Sequence, residues 1–194
     1  MTSLADDDPR PAFLRAIDQL EQLAARVTPE QLAAASVLPG WDTRKLISHI
    51  VGDIHRIAYA GEGGRLRDVA AMTGDIADDD WAGAVRRARA RAAAAWADDA
   101  KLAGSYTAAW GEATGAMVLR GLVMELGTHT WDLAQSVDPE ADLDAELGAV
   151  ALAAARQIAP ADRRVPGGPF GPVQPVPAGA GVYDQLAGWL GRAV

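Results

Sequence analysis

"GAMVLRGLVMELGTHTWDLAQSV", residues 115 to 137, is the stretch on which the fold turns. Across it the only formally charged side chains are Arg120, Glu125 and Asp132. Met117, Val118, Leu119, Leu122, Val123, Met124, Leu126, Trp131 and Leu133 cover most of a helical circumference, and a helix apolar nearly all round is a buried one. Within it Glu125 and His129 stand four apart. At ~100° per residue they lie ~40° apart around the axis, one turn from each other on one face. Asp132, three residues beyond His129, falls on the same side. Burying an ionised carboxylate without a partner is costly, so Glu125 requires a counter-charge, a metal or a proton.

Outward from that helix the pattern stays helical. "RPAFLRAIDQLEQLAARV" (10–27) repeats Phe13, Ile17, Leu20 and Leu23–Ala24 at helical spacing and is ended by Thr28–Pro29. Pro39–Gly40 signals a turn, and Asp42 or Thr43 caps the next helix. That helix, "TRKLISHIVGDIHRIAYA" (43–60), repeats Leu46, Ile50, Ile54, Ile57 and Ala58 and stops at Gly61. Further helices are expected over about 81–103 and 142–159, with "YTAAWGEATG" (106–115) irregular or a short extended piece. The Pro/Gly-rich segment 160–181 reads as a surface wrap returning a last helix, "VYDQLAGWLGR", to the body. The expectation is an all-α fold: an up-down four-helix bundle with long irregular connections and a short C-terminal helix. It forms one domain over 1–194.

Net charge is −8 with a pI near 4.8, which argues against nucleic acid or an anionic membrane as partner. Arg86, Arg87, Arg89 and Arg91 spread round their helix and are flanked by acids, so they read as a solvated face. The acidic runs "ADDD" (5–8) and "DIADDD" (75–80) read as solvated loops or helix N-termini. No secretory leader and no apolar membrane span is seen, so a cytoplasmic protein is expected. Cysteine is absent. That removes disulfides, thiolate ligands and a Cys nucleophile, and leaves His, Asp and Glu to hold any metal.

His49, in the otherwise apolar "LISHIVGD", supplies the matching piece on a second helix. Three N/O donors from two facing helices, His49, Glu125 and His129, leave a fourth position open, as in catalytic zinc sites. Asp132 or Asp53 could accept from a ligating imidazole's other N–H and fix its tautomer. His55, six residues from His49 and ~120° round the helix, falls outside. Arg120, ~140° from Glu125, is given no catalytic role. Spacing alone also admits a plain intrahelical Glu–His hydrogen bond and a core histidine satisfied by a carbonyl.

"LPGWDTRKLISHIVGD" (38–53) resembles the start of the metal-binding domain in the mycothiol-dependent maleylpyruvate isomerase branch of the DinB/YfiT-like superfamily. "ELGTHTWDLAQS" (125–136) resembles that branch's second signature, a Glu and a His four apart followed by Trp-Asp-Leu-Ala. "FGPVQPVPAGAGVYDQLAGWLGR" (170–192) is similar to the tail of its short, single-domain, largely actinobacterial members. The resemblance implies that His49, Glu125 and His129 coordinate a divalent metal, most often zinc, inside a four-helix bundle. It also implies a low-molecular-weight thiol co-substrate, mycothiol in actinobacteria.

Two departures stand out. Leu38 occupies a position where many relatives have Cys, and the chain ends before the second domain that completes the full isomerase. The function expected is a thiol-dependent transferase or isomerase acting on a small electrophile through a metal-bound thiolate, the sulfur coming from the co-substrate. The alternatives are a hydrolase using metal-bound water and a non-catalytic metal and small-ligand binder, a sensor or sequestration protein. A further one is an empty structural fold, such as a homodimer packed through exposed helix faces. The sequence names no catalytic residue beyond the ligands, and no substrate.

Overall fold

The structure is a computed structural model that describes residues 8–108, 110–165 and 167–194. Along the chain run α1 (Arg10–Ala24), α2 (Pro29–Leu32), α3 (Thr43–Gly61), α4 (Trp81–Ala95) and α5 (Ala100–Ala103). The hairpin β1 (Ser105–Ala108) and β2 (Gly111–Thr114) follows, then α6 (Gly115–Val137), α7 (Ala145–Ile158) and α8 (Val182–Trp189). The helix apolar on all sides, α6, is the hub: it packs against α1 and α3 within the bundle and against α7 and α8 outside it. The helix α4 packs against α1 and α3 and completes a ring in the order α1, α4, α3, α6. The fold is therefore the expected all-α bundle, and α7 and α8 extend it.

The periodic residues of the sequence form its core. Phe13, Ile17 and Leu20 of α1, Leu46, Ile50, Ile54 and Ile57 of α3, and Leu119, Met124, Leu126 and Leu133 of α6 are all buried. On the far side α4 offers mostly alanines, Ala84, Ala88 and Ala92 with Val85, so two helices approach it closely. Its arginines point outward and pair with acids: Arg86 with Glu21, Arg87 with Asp80, Arg89 with Asp18 and Arg91 with Glu62. This is the solvated face expected of them.

Two helix ends differ from the sequence reading. The first helix ends at Ala24 rather than near 27. The helix α4 ends at Ala95, not 103, because Trp96 turns fully inward and donates its indole N–H to the Ile57 carbonyl at 2.8 Å. Gly61 makes room for that ring: a Cβ there would lie 2.8 Å from the indole nitrogen. The stretch read as irregular or a short extended piece is extended and pairs with itself as the antiparallel hairpin, Ser105 with Thr114 and Ala108 with Gly111. Its cross-strand tie is Glu112, whose carboxylate accepts from both the Ser105 and Thr107 hydroxyls. Of the "ADDD" run only Asp8, paired with Arg10, falls within the described residues.

The Pro/Gly segment wraps as expected. Gln174 N–H donates to the Gly188 carbonyl at 2.9 Å, and the Trp189 indole donates to the Ala159 carbonyl at 3.2 Å. This fastens α8 and the residues after it to the body. Among the described residues no helix is long and apolar enough to cross a membrane.

Candidate functional site

The turn before α3 is built from its sequence. Gly40 has φ +76°, the left-handed value a type II turn requires after proline, and Trp41 N–H closes the turn on the Leu38 carbonyl at 3.0 Å. Asp42 then caps α3 by accepting from Lys45 N–H at 2.7 Å. Together they set the Trp41 indole edge-on against the His49 imidazole, with centroids 5.2 Å apart.

Each imidazole is held by its Nδ1. His49 Nδ1 lies 2.9 Å from the Ala71 carbonyl, which can only accept, so Nδ1 carries the proton and Nε2 offers its lone pair. Gly52, one turn along, permits this contact. A Cβ there would lie 2.7 Å from the Ala71 oxygen, so only glycine lets the 69–73 loop approach so closely. His129 Nδ1 lies 3.0 Å from Asp132 Oδ2 in the same way. Asp132 is wholly buried, and Arg192 grips both its oxygens at 2.9 Å. The chain that orients His129 therefore runs from the segment after α8 through Arg192 and Asp132 to the imidazole.

The two rings meet edge-on, centroids 5.1 Å apart, with two carboxylates close by. Asp53 Oδ2 is 3.2 Å from His49 Nε2, and Glu125 Oε2 is 3.9 Å from His129 Nε2. Among the described residues the donors of His49, Asp53 and His129 lie within 4.8 Å of one another, a grouping suited to a metal ion. Asp53 thus sits beside the donor nitrogen of His49, on the inner side, whereas the sequence reading set it behind a ligand. Asp132, by contrast, lies against the Nδ1 side of His129. His55 lies apart, near the Arg91 guanidinium.

Electrostatics follow from burial and these partners. Burial favours the neutral form of His129, but Asp132, Glu125 and Asp53 outweigh it and raise the imidazole's pKa. Burial alone would raise Asp132, yet the bonds from His129 and Arg192 hold its carboxyl below the usual range. His49 is pushed down by burial, and Glu125 is pushed up by burial. The grouping that could hold a metal ion among the described residues is His49, Asp53 and His129, a set of N and O donors; Glu125, read from the sequence as a ligand, lies outside it, with Oε2 3.9 Å from His129 Nε2.

Asp53 and Glu125 also line a cleft of about 350 Å³, together with Ile57, Val118, Leu122 and Trp110. Sequence reasoning missed Arg192, Gly52, Ala71 and Trp110. The only trace of Arg192 was the need of a buried Asp132 for a cation, and sixty residues separate the two.

Residues 13–134, which carry His49, Glu125, His129 and Asp132, match the family model described as the mycothiol maleylpyruvate isomerase N-terminal domain. Two uncharacterized proteins of Mycobacterium tuberculosis, one from each of two strains, are 32% identical over 187 residues, covering 96% of this chain and 99% of theirs. The crystal structure of the mycothiol-dependent maleylpyruvate isomerase superposes with TM-score 0.56 at 16% identity. A mutant of it superposes with TM-score 0.58 at 15% identity. Each alignment covers 77% of this chain and 70% of the other, and at such identity shows a shared fold. From its motifs, the geometry they build and the span of the match, the chain belongs to the family of the mycothiol maleylpyruvate isomerase N-terminal domain.

Proposed function

We propose that the chain is a mycothiol-type, metal-dependent transferase or isomerase acting on a small electrophile. The observation that carries the reading is the convergence of two Nδ1-anchored imidazoles with Asp53 and Glu125, two carboxylates that also line an open cleft. His49, Glu125 and His129 would hold a divalent ion, zinc by preference for this donor set, with Asp53 as the neighbouring carboxylate. An ion held there would keep a bound thiol deprotonated. The chain's own residues do the rest. Arg192 and Asp132 orient His129, the Ala71 carbonyl orients His49, and Arg56 holds Asp53 Oδ1 at 3.2 Å. Ile57, Val118 and Leu122 give the cleft an apolar wall.

With no cysteine in the chain, the co-substrate must bring the sulfur. In a transfer, sulfur forms the new bond to carbon and the leaving group departs with the electron pair. In an isomerisation, sulfur adds to a conjugated alkene, the former double bond rotates, and loss of the same sulfur restores it and regenerates the thiol.

The test has two stages. Protein purified without a histidine tag should carry about one equivalent of metal. His49→Ala and His129→Ala should each lose most of it. Of Glu125→Gln and Asp53→Asn, the variant that loses more identifies the ligating carboxylate. Less than about half an equivalent, unchanged by His129→Ala, would end the metal reading. With metal established, mycothiol should be consumed, or should catalyse isomerisation, with a member of a panel of epoxides and activated alkenes. Inertness across the panel would count against catalysis.

A further inference from the structure

The cleft at the site is lined by two kinds of side chain. One is apolar: Val118 and Leu122 of α6, Ile57 of α3 and the indole of Trp110. Trp110 stands at the tip of the hairpin with 44% of its surface exposed, the most exposed aromatic ring among the described residues. Its ring lies against α6. Gly121 of α6 is its seat: a Cβ there would come within 2.3 Å of the ring's outer edge, closer than any real contact. A large ring held over a backbone made bare for it, with a face left open to a cleft, is a platform for a flat apolar group.

The other kind is charged, the carboxylates of Asp53 and Glu125 and two guanidinium groups. Arg56 and Arg67 both line the cleft. Arg56 is already committed to Asp53 Oδ1 and to the Leu66 carbonyl at 3.2 Å. Arg67 differs: it makes no hydrogen bond or ion pair with any described residue. Its neighbour Arg65, by contrast, is paired with Asp68. With Leu66 and Thr107, Arg67 stands at the border between this cleft and a larger cavity of about 740 Å³. An uncommitted guanidinium facing a cleft that holds an aromatic platform matches an anion borne on an apolar body.

We infer that the cleft recognises a small acid with a flat apolar body and a single carboxylate. Trp110, seated on Gly121, holds the body, and Arg67 takes the carboxylate. This deepens the transferase reading, on which it rests for the identity of the cleft as the place of the electrophile. Arg67 and Trp110 are thus specificity-determining residues.

Calorimetric titration of the full chain with cinnamate and with its neutral counterpart cinnamamide tests this without turnover. The wild type should bind the acid about two- to fivefold more tightly than the amide, the advantage of one Arg–carboxylate pair at the exposed Arg67. Arg67→Gln should reduce that ratio to about one while leaving amide binding intact. Trp110→Ala should weaken both probes by about fivefold or more. Gly121→Ala, which keeps the indole but evicts it from its seat, should weaken both similarly. That variant separates loss of the platform from damage to the hairpin. An acid preference that survives Arg67→Gln, indifference of both probes to Trp110→Ala and Gly121→Ala, or no heat with either probe would each overturn the inference. Neither probe requires a thiol. A chain that discriminates acid from amide through Arg67 yet holds no metal would refute the transferase reading and leave this one standing.

Discussion

Asp132 is the residue on which the site leans most. It has no exposed surface, and its carboxylate is met by Arg192 on both oxygens and by His129 on one. Removing one member of such a group leaves a charge buried and unpaired. Arg192→Ala should therefore destabilise the fold by about 3–5 kcal/mol in urea unfolding. Arg192→Lys should recover part of that loss. Where enough folded Arg192→Lys protein remains, its metal affinity should fall by about tenfold or more, because Asp132 is no longer held in register beneath His129. Gly52 acts on the other imidazole and its effect should separate from stability. Gly52→Ala gains about 1 kcal/mol of helix propensity. Its methyl, 2.7 Å from the Ala71 oxygen, must push the loop off His49. A thermal midpoint within a few degrees of wild type, together with metal affinity lowered about tenfold, is the expected pair of results. Legibility at this scale follows sequence distance. Glu125, His129 and Asp132 could be placed together because helical geometry fixes neighbours within a turn. Arg192 and Ala71 reach the site through tertiary packing and left no periodic trace.

Among the elements, the long helices were legible and the short pieces were not. Repeats at three and four residues, sustained over several turns, announce α1, α3 and α6. The strands of the hairpin have four residues each, too few for alternation to stand out, and Glu112 ties them by side-chain bonds that no pattern encodes. The end of α4 escaped for a related reason: Trp96 continues the helical pattern, but its destination is the Ile57 carbonyl across the bundle. The contact between α6 and α7 gives an element-scale prediction. A Cβ on Gly127 would meet that of Ala151 at 2.7 Å, so the two backbones approach only because one position is bare. Gly127→Ala should cost about 1–3 kcal/mol in overpacking against about 1 kcal/mol gained in propensity, a net loss visible in urea unfolding. Adding Ala151→Gly should recover the packing part of that loss, so the double-mutant cycle shows a favourable coupling. Additive effects would mean that the helices do not meet at this point.

For the whole molecule, the bundle followed from one helix apolar on all sides, while the way the tail locks onto it depended on contacts between distant segments. Gln19 of α1 is one such lock: it donates to the Tyr183 hydroxyl of α8 at 2.6 Å and accepts from Asp144 N–H at the start of α7, also at 2.6 Å. Burial pushes the Tyr183 phenol up to about 12 from an ordinary value of 10. The folded state therefore keeps the proton when the unfolded chain has already lost it. Stability should fall as pH rises from 10 towards 12, by about 2–3 kcal/mol from this group. Urea midpoints of wild type and Tyr183→Phe should draw together over that interval, since phenylalanine has no proton to lose. Parallel pH profiles would show that the phenol does not govern the alkaline limb. Trp110 has an optical consequence. Of the tryptophans, Trp81, Trp96 and Trp131 are buried, Trp41 and Trp189 are partly covered, and Trp110 alone is exposed. The long-wavelength edge of the emission should therefore come chiefly from Trp110, and a polar quencher should reach it before the others. The protein carries its own dye at the mouth of its cleft, and occupancy there can be followed by light without a label.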